Sequence, residues 1–394
     1  MTRESTGRAT APDPGRTGIL LAVGPLPPPV NGLSKAFAFV VEGMSQRGWI
    51  IDTVDLADRT KGRVGSSFSW GRFGAVLAVL SRVIRRARRA DVVYLTISQS
   101  RLGFAKDMVA IRYATRLGRP VVVHMHGGNF GGFYRSLTAP EQHLVKGTLD
   151  RLAAIVVLTD SLKRDFSMTN GWAERTVAIA NTCDVPPGGV RRPPSGTLRL
   201  LFLSALILTK GYPEAIAAAA EIARRRPDLR VTIDIAGGLV PDRDFPGPEA
   251  QREDLRQRIG AMPSNASAVV HGEVDGARKQ ALLAGADVFL LPTRYVNEGQ
   301  PISIIEALTA GLPVVATDWR GIRETLPPVM HELLVPAPDA GAIADRLERL
   351  VTDPLTYEAM SRAATVHAEL FRPERHLQAL DRVLRAARAE VTGS

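Results

Sequence analysis

The most constraining feature of this chain is a repeated pair of patterns. A short apolar run rich in Val and Ile is followed by a stretch of helical periodicity. In the first half the runs are GILLAVG (18–24), DVVYLTI (91–97), PVVVHMHGG (120–128) and IVVLTD (155–160). They are nearly continuous rather than alternating, the pattern of parallel strands buried on both faces. Between them, 34–47 reads as an amphipathic helix closed by Gly48, and 104–117 as another closed by Gly118. Parallel neighbours need a crossover and a helix supplies it, so the alternation predicts a doubly wound α/β sheet.

The pattern stops at DVPPGGVRRPPSGT (184–197), which has no hydrophobic run. It restarts with LRLLFLSALI, PEAIAAAAEIARRR, RVTIDIAGG, a helix near 250–260, AVVHGEV, a helix near 276–285, ADVFLLPT and PVVAT. The expected organisation is a disordered leader (1–16), a first Rossmann-like lobe (17–186), a linker (187–197), a second Rossmann-like lobe (198–360) and a helical tail (361–394) packing back on the first lobe. Ligands of such sheets bind beyond the carboxyl ends of the strands, so two lobes facing across a cleft are expected to share them.

Composition excludes several classes. Apolar content of 45% and charged content of 23% are ordinary for a soluble globular protein. A single cysteine, Cys183, rules out an intramolecular disulfide framework and fits a reducing, cytoplasmic setting. No window reaches about 18 uninterrupted apolar residues. The net charge of +10 leaves polyanions open as partners. The basic run SRVIRRARRAD (81–91) continues a helical pattern, so its arginines read as a solvated face or as a peripheral contact with an anionic membrane. No aromatic-interleaved platform for nucleic acid is present.

The stretch NEGQPISIIEALTAGLPVVAT (297–317) carries the most chemistry. Pro301 suits a first helical turn and Gly311 the position past the last, which sets a helix at about 301–310. The N–H groups of Gln300, Ile302 and Ser303 would then form an anion site, and Gly299 would let a ligand approach the backbone. Carboxylates repel a bound phosphate, so Glu298 and Glu306 are expected to flank it and accept from neutral hydroxyls. Hydroxyls on both sides of a phosphate describe a nucleotide sugar. Lys210 ends an apolar strand and offers a point charge to a diphosphate. HMHGGNF contains His124 and His126, of which His124 reads as a core residue. Asp242 and Asp244 lie in a loop rather than at a strand end, and read as surface.

The stretch resembles the E-x7-E segment of retaining glycosyltransferases of family four, which have the GT-B fold. EALTAGLPVVAT matches, as do ADVFLLPT before it, and GIRE and HELLVPAPD after it. ALILTKG and IANTCD resemble the family's lysine-glycine loop and its I-P-N-G-V-D segment. The resemblance implies transfer of a sugar from a nucleoside-diphosphate sugar to an acceptor hydroxyl, with retention and with no metal or other cofactor. It implies catalytic roles for His126, Lys210 and Glu298. Donor contacts fall to Asn31, Gly32, Gly211, Gly299, Gln300, Pro301, Ile302, Ser303 and Glu306. Arg294, Asn297, Arg320, Gly321 and Glu324 are expected around them. The family's arginine five residues before the lysine is Ala205 here. VVVHMHGGNFGGFY resembles members that build exopolysaccharide or other surface glycans, which implies a glycan or lipid-linked acceptor. A hydrolase or epimerase on the same fold, or a non-catalytic sugar-nucleotide binder, are the alternatives.

Overall fold

A computed structural model describes residues 17–28, 32–56, 70–242 and 244–392. Its strands are β1 (Gly18–Gly24), β2 (Trp49–Asp55), β3 (Val92–Thr96), β4 (Val121–His124), β5 (Ala154–Val157) and β6 (Thr176–Ala178), then β7 (Thr197–Leu203), β8 (Arg230–Ala236), β9 (Ala266–Gly272), β10 (Val288–Leu291), β11 (Val314–Thr317) and β12 (Leu334–Val335). They form two six-stranded sheets, ordered β2-β1-β3-β4-β5-β6 and β12-β11-β10-β7-β8-β9. The pairs β1/β2, β1/β3, β3/β4, β7/β8, β8/β9, β7/β10, β10/β11 and β11/β12 are all parallel. This is the doubly wound arrangement that the apolar runs predict.

By packing, the chain separates into two compact units. One holds the described parts of Met1–His124, His143–Ile155 and Leu377–Ser394; the other holds Met125–Gln142 and Val156–His376. In the first unit the chain's last helix is fastened to the start of the fold. The Trp49 indole N–H donates to Asp381 Oδ1 at 2.7 Å, and Arg385 Nη2 to Thr17 Oγ1 at 2.9 Å. Gly43 leaves room there for Leu377, since a Cβ on it would lie 2.3 Å from Leu377 Cδ2.

The second unit has a continuous core of strand and helix residues, with Leu198, Leu200, Leu201 and Phe202 of β7 fully buried. Each such side chain stabilises the fold by about 1.5–3 kcal/mol. Residues 187–196 contain no helix or strand, yet they are held down. The Gly188 N–H donates to Thr309 O at 2.7 Å, and the Arg191 guanidinium to the carbonyls of Leu283, Ala284 and Ala310. The Pro/Gly-rich segment is therefore bonded along the second unit's helices.

In the second sheet the chain leaves β7 on one side for β8 and β9, then returns to its other side with β10. The reversal lies between β7 and β10. Such a switch point is where the loops beyond the carboxyl ends diverge and leave a ligand crevice. The loop after β7 carries Lys210, and the loop after β10 carries Glu298.

Candidate functional site

Two loops meet at that switch point. After β7 the chain makes a short 3-10 turn, Leu208–Lys210, and then Gly211 at φ +88° begins the helix Tyr212–Arg225. A Cβ on Gly211 would lie 2.1 Å from Pro292 O, so only glycine lets this turn press against the end of β10. The Lys210 ammonium then reaches both carboxylate oxygens of Glu298, at 3.0 and 2.8 Å. It also lies 4.6 Å from the centre of the Tyr295 ring, within cation–π range. Thr293, fully buried, places its hydroxyl 3.1 Å from Glu298 Oε2. Glu298 is thus a buried carboxylate paired with a lysine from the neighbouring loop.

The helix after β10 is Ile302–Thr309, with Pro301 in the capping position rather than the first turn, and Gly311 beyond its end at φ +78°. The backbone N–H groups of Gly299, Gln300, Ile302 and Ser303 have no hydrogen-bond partner among the described residues. They form a row of donors at the positive end of the helix dipole. The Gln300 side chain is already occupied, because its Oε1 accepts from the Asn181 N–H at 2.7 Å.

Glu306 lies on the buried face of that helix and pairs with a different lysine. It accepts from Lys279 Nζ at 2.6 Å, and both residues are 7% exposed. Burial alone would lower the Lys279 pKa, but the Glu306 and Asp184 carboxylates outweigh it and raise the value. Lys279 is absent from the sequence expectations. Its signal was available: with Leu283, four residues on, it forms the buried face of the helix Gly276–Gly285.

His126 and the glycines after it pack directly on this region. The Gly128 N–H donates to Asn297 O at 3.3 Å, and a Cβ on Gly128 would lie 1.9 Å from Glu298 O. The missing Cβ of Gly299 likewise serves packing, since that direction is filled by His126 O at 2.8 Å. The His126 ring is turned inward. It is hydrogen-bonded to Asn181, its Nε2 is shielded from solvent, and burial, followed by the nearby His376, pulls its pKa down to about 3. Through Asn181 the imidazole also braces its loop. Asn181 in turn donates Nδ2 to Gln300 O at 2.9 Å, so the His126 and Gln300 loops share one clamp.

The remaining expectations divide. Gly32 heads the helix Gly32–Gln46 of the first unit, and Asn31 lies outside the described residues. His124 is fully buried and its Nδ1 shares a 2.8 Å hydrogen bond with the Tyr94 hydroxyl, as a core histidine would. Asp242 accepts from the Leu208 N–H at 3.0 Å and so braces the lysine loop. Arg294 is half-exposed and pairs with Glu214 at 3.3 Å. Glu324 accepts from the N–H groups of Asp160 and Ser161 at 2.9 and 3.0 Å, which makes it a capping group.

Comparisons with known proteins bear on this geometry. Residues 190–367 match the family model described as glycosyl transferases group 1. A D-inositol 3-phosphate glycosyltransferase of Arthrobacter sp. (strain FB24) is 33% identical over 45% of this chain, covering 40% of its own length. A glycogen synthase of Mycobacterium tuberculosis is 28% identical over 71% of this chain and 64% of its own. The chain thus spans about two fifths to two thirds of the length of these relatives. Among solved structures, HepE of Anabaena in complex with UDP and glucose superposes with a TM-score of 0.69 at 17% identity, over 93% of this chain and 99% of that one. A sucrose-phosphate synthase of Thermosynechococcus elongatus gives 0.67 at 17% identity, over 94% and 99%. The fold is therefore the two-lobed α/β fold of these proteins, GT-B. The stretch that matches the group 1 glycosyltransferase model carries Lys210, Lys279, Glu298 and Glu306.

Proposed function

We propose that the protein is a retaining, metal-independent glycosyltransferase. It would move a sugar from a nucleoside-diphosphate sugar to an acceptor hydroxyl of a surface glycan or its lipid-linked precursor. The observation that carries this reading is the pairing at the β7/β10 switch point: Lys210 on Glu298, beside the open row of N–H groups from Gly299 to Ser303.

In the reaction the bond between the anomeric carbon and the β-phosphate oxygen breaks, and its electron pair stays with the departing diphosphate. The acceptor oxygen forms the new bond on the same face, and its proton passes to a phosphate oxygen. Negative charge grows on the diphosphate, so the N–H row and the Lys210 ammonium stabilise the transition state more than the ground state. As Lys210 turns toward the phosphate, Glu298 is released from its ion pair and accepts from sugar hydroxyls. Glu306, paired with Lys279, accepts from the ribose. His126 holds the loop that packs against Glu298. No residue of the set is a covalent nucleophile in this scheme.

A thermal-shift screen with UDP, GDP, ADP and their common sugars, with and without EDTA, tests the donor site. Saturation at 100 times Kd would stabilise by about 2.7 kcal/mol. One nucleotide series should shift the wild type regardless of EDTA and fail to shift Glu306→Ala. No shift with any nucleotide, or a shift that vanishes with EDTA, overturns the reading. Release of free sugar, or donor turnover without an acceptor, points instead to hydrolase or epimerase chemistry.

The first unit supports a membrane-borne acceptor. Arg85, Arg88 and Arg89 are exposed around a recess of about 510 Å³, whereas Arg86 is tied to Asp52 at 2.7 Å. Among the described residues no helix is long and apolar enough to cross a membrane, so any contact through them would be peripheral. Charge reversal at Arg85, Arg88 and Arg89 should abolish sedimentation with anionic vesicles; unchanged sedimentation refutes the contact.

A further inference from the structure

Arg320 follows β11 and is the single non-glycine residue with positive φ (50°) among the described residues. The left-handed region sets the Cβ against the following carbonyl, a strain that glycine would avoid. Such strain persists only where the surroundings impose it, and it concentrates at ligand sites. The surroundings here are specific. Next to it, Gly321 presses on Gly299, where a Cβ would lie 2.7 Å from Gly299 O. The preceding Trp319 donates its indole N–H to Tyr295 O at 2.9 Å, and the Tyr295 ring carries Lys210 on its face. Arg320 therefore borders the Glu298 loop.

Its guanidinium is incompletely matched. Nη2 donates to Asn129 Oδ1 at 3.0 Å, and the group lies 5.3 Å from the Trp319 ring. Nε is buried without a hydrogen-bond partner, and no carboxylate among the described residues lies at ion-pair distance from the group. Asp165, which acts on it from farther away, accepts from the N–H groups of Phe130 and Gly131. A half-buried guanidinium with one neutral acceptor lacks the anion that usually accompanies such burial.

We propose that Arg320 is a substrate-binding residue for an oxyanion, a phosphate or a carboxylate, presented at the carboxyl end of β11. The proposal rests on the switch-point site being a nucleotide-sugar site. It gives that site a second cation where Ala205 supplies none. The oxyanion has two possible sources: the donor diphosphate, or a carboxylate on the transferred sugar.

Calorimetric titration of the full-length wild type, Arg320→Gln and Arg320→Lys separates them. The probes are UDP, inorganic pyrophosphate, UDP-glucose and UDP-glucuronate. If the diphosphate is the source, Arg320→Gln weakens UDP and pyrophosphate at least tenfold and Arg320→Lys restores much of the loss. If a sugar carboxylate is the source, UDP binds both proteins alike, and only the preference for UDP-glucuronate over UDP-glucose collapses. Binding of every probe within twofold of wild type, by folded Arg320→Gln, reduces Arg320 to a latch on Asn129 and overturns the proposal. If wild type binds pyrophosphate but no nucleotide, the donor reading fails, while the pyrophosphate comparison still decides the case of Arg320.

Discussion

Truncating Lys279 is the sharpest test of how the second unit is built. Lys279 Nζ stands 2.6 Å from Glu306 Oε1, with both side chains only 9% exposed. At an effective dielectric near 20 the attraction is about 6 kcal/mol before desolvation is charged against it. Asp184, 79% exposed and 3.3 Å from the same ammonium, adds little because water screens it. Lys279→Met keeps the apolar stem and removes the charge, so Glu306 stays buried without its lysine. The expected loss is about 3–5 kcal/mol in urea denaturation at pH 8. The loss also carries a pH signature. A buried carboxylate that has lost its lysine has its pKa raised above the unfolded value, so the native state binds more protons and stability falls as pH rises. The deficit of Lys279→Met should therefore shrink as pH is lowered from 8 to 5. Lys279→Met/Glu306→Gln should be more stable than Lys279→Met alone. A deficit below about 1 kcal/mol that is constant with pH would refute the pairing, because it would mean that water or another cation already serves Glu306.

Two further substitutions probe the loops. Gly128→Ala sets a Cβ against the Glu298 backbone, 1.9 Å from Glu298 O if nothing shifts; denaturation should show a loss of about 1–3 kcal/mol, and a neutral result would mean the loop moves freely. At Arg320 the usual order of Ala over Gly should invert, with Arg320→Gly the more stable by about 1 kcal/mol, since both lose the side chain and only Gly relieves the φ of 50°. Equal stabilities would show the backbone relaxing out of the left-handed region.

The strands were legible where they were buried on both faces. In β3 every residue from Val92 to Thr96 is buried, and the run shows it. Strand β2 was not anticipated because it is the edge of its sheet, and WIIDTVD mixes Asp52, Thr53 and Asp55 with its apolar residues. Strands β6 and β12 have three and two residues, too short for any periodicity. In the site, Lys210 and Glu298 could be read because each stands just past a recognisable strand. Lys279 meets Glu306 across 27 positions and Asn181 meets Gln300 across 119, so their pairing depends on the tertiary fold. The inward turn of the His126 ring was hidden for the same reason, since Asn181 and His376 arrive from distant segments.

The glycines change meaning most between sequence and structure. In the sequence, Gly299 suggests room for a ligand beside the backbone; Gly128 and Gly321 join it in the fold. In the fold each missing Cβ is filled by another loop: Gly128 by Glu298 O, Gly299 by His126 O, and Gly321 by Gly299 O. Three loops, after β4, β10 and β11, thus interlock backbone to backbone. That packing restrains the 299–303 segment, whose N–H groups remain open, because any swing of Gly299 would drive it into the His126 or Gly321 loop. Donors held in place before a ligand arrives cost no reorganisation when charge develops on it. If the proposed function holds, the glycines serve catalysis indirectly, by excluding motion from the 299–303 backbone, and the loss expected for Gly128→Ala should extend to nucleotide affinity.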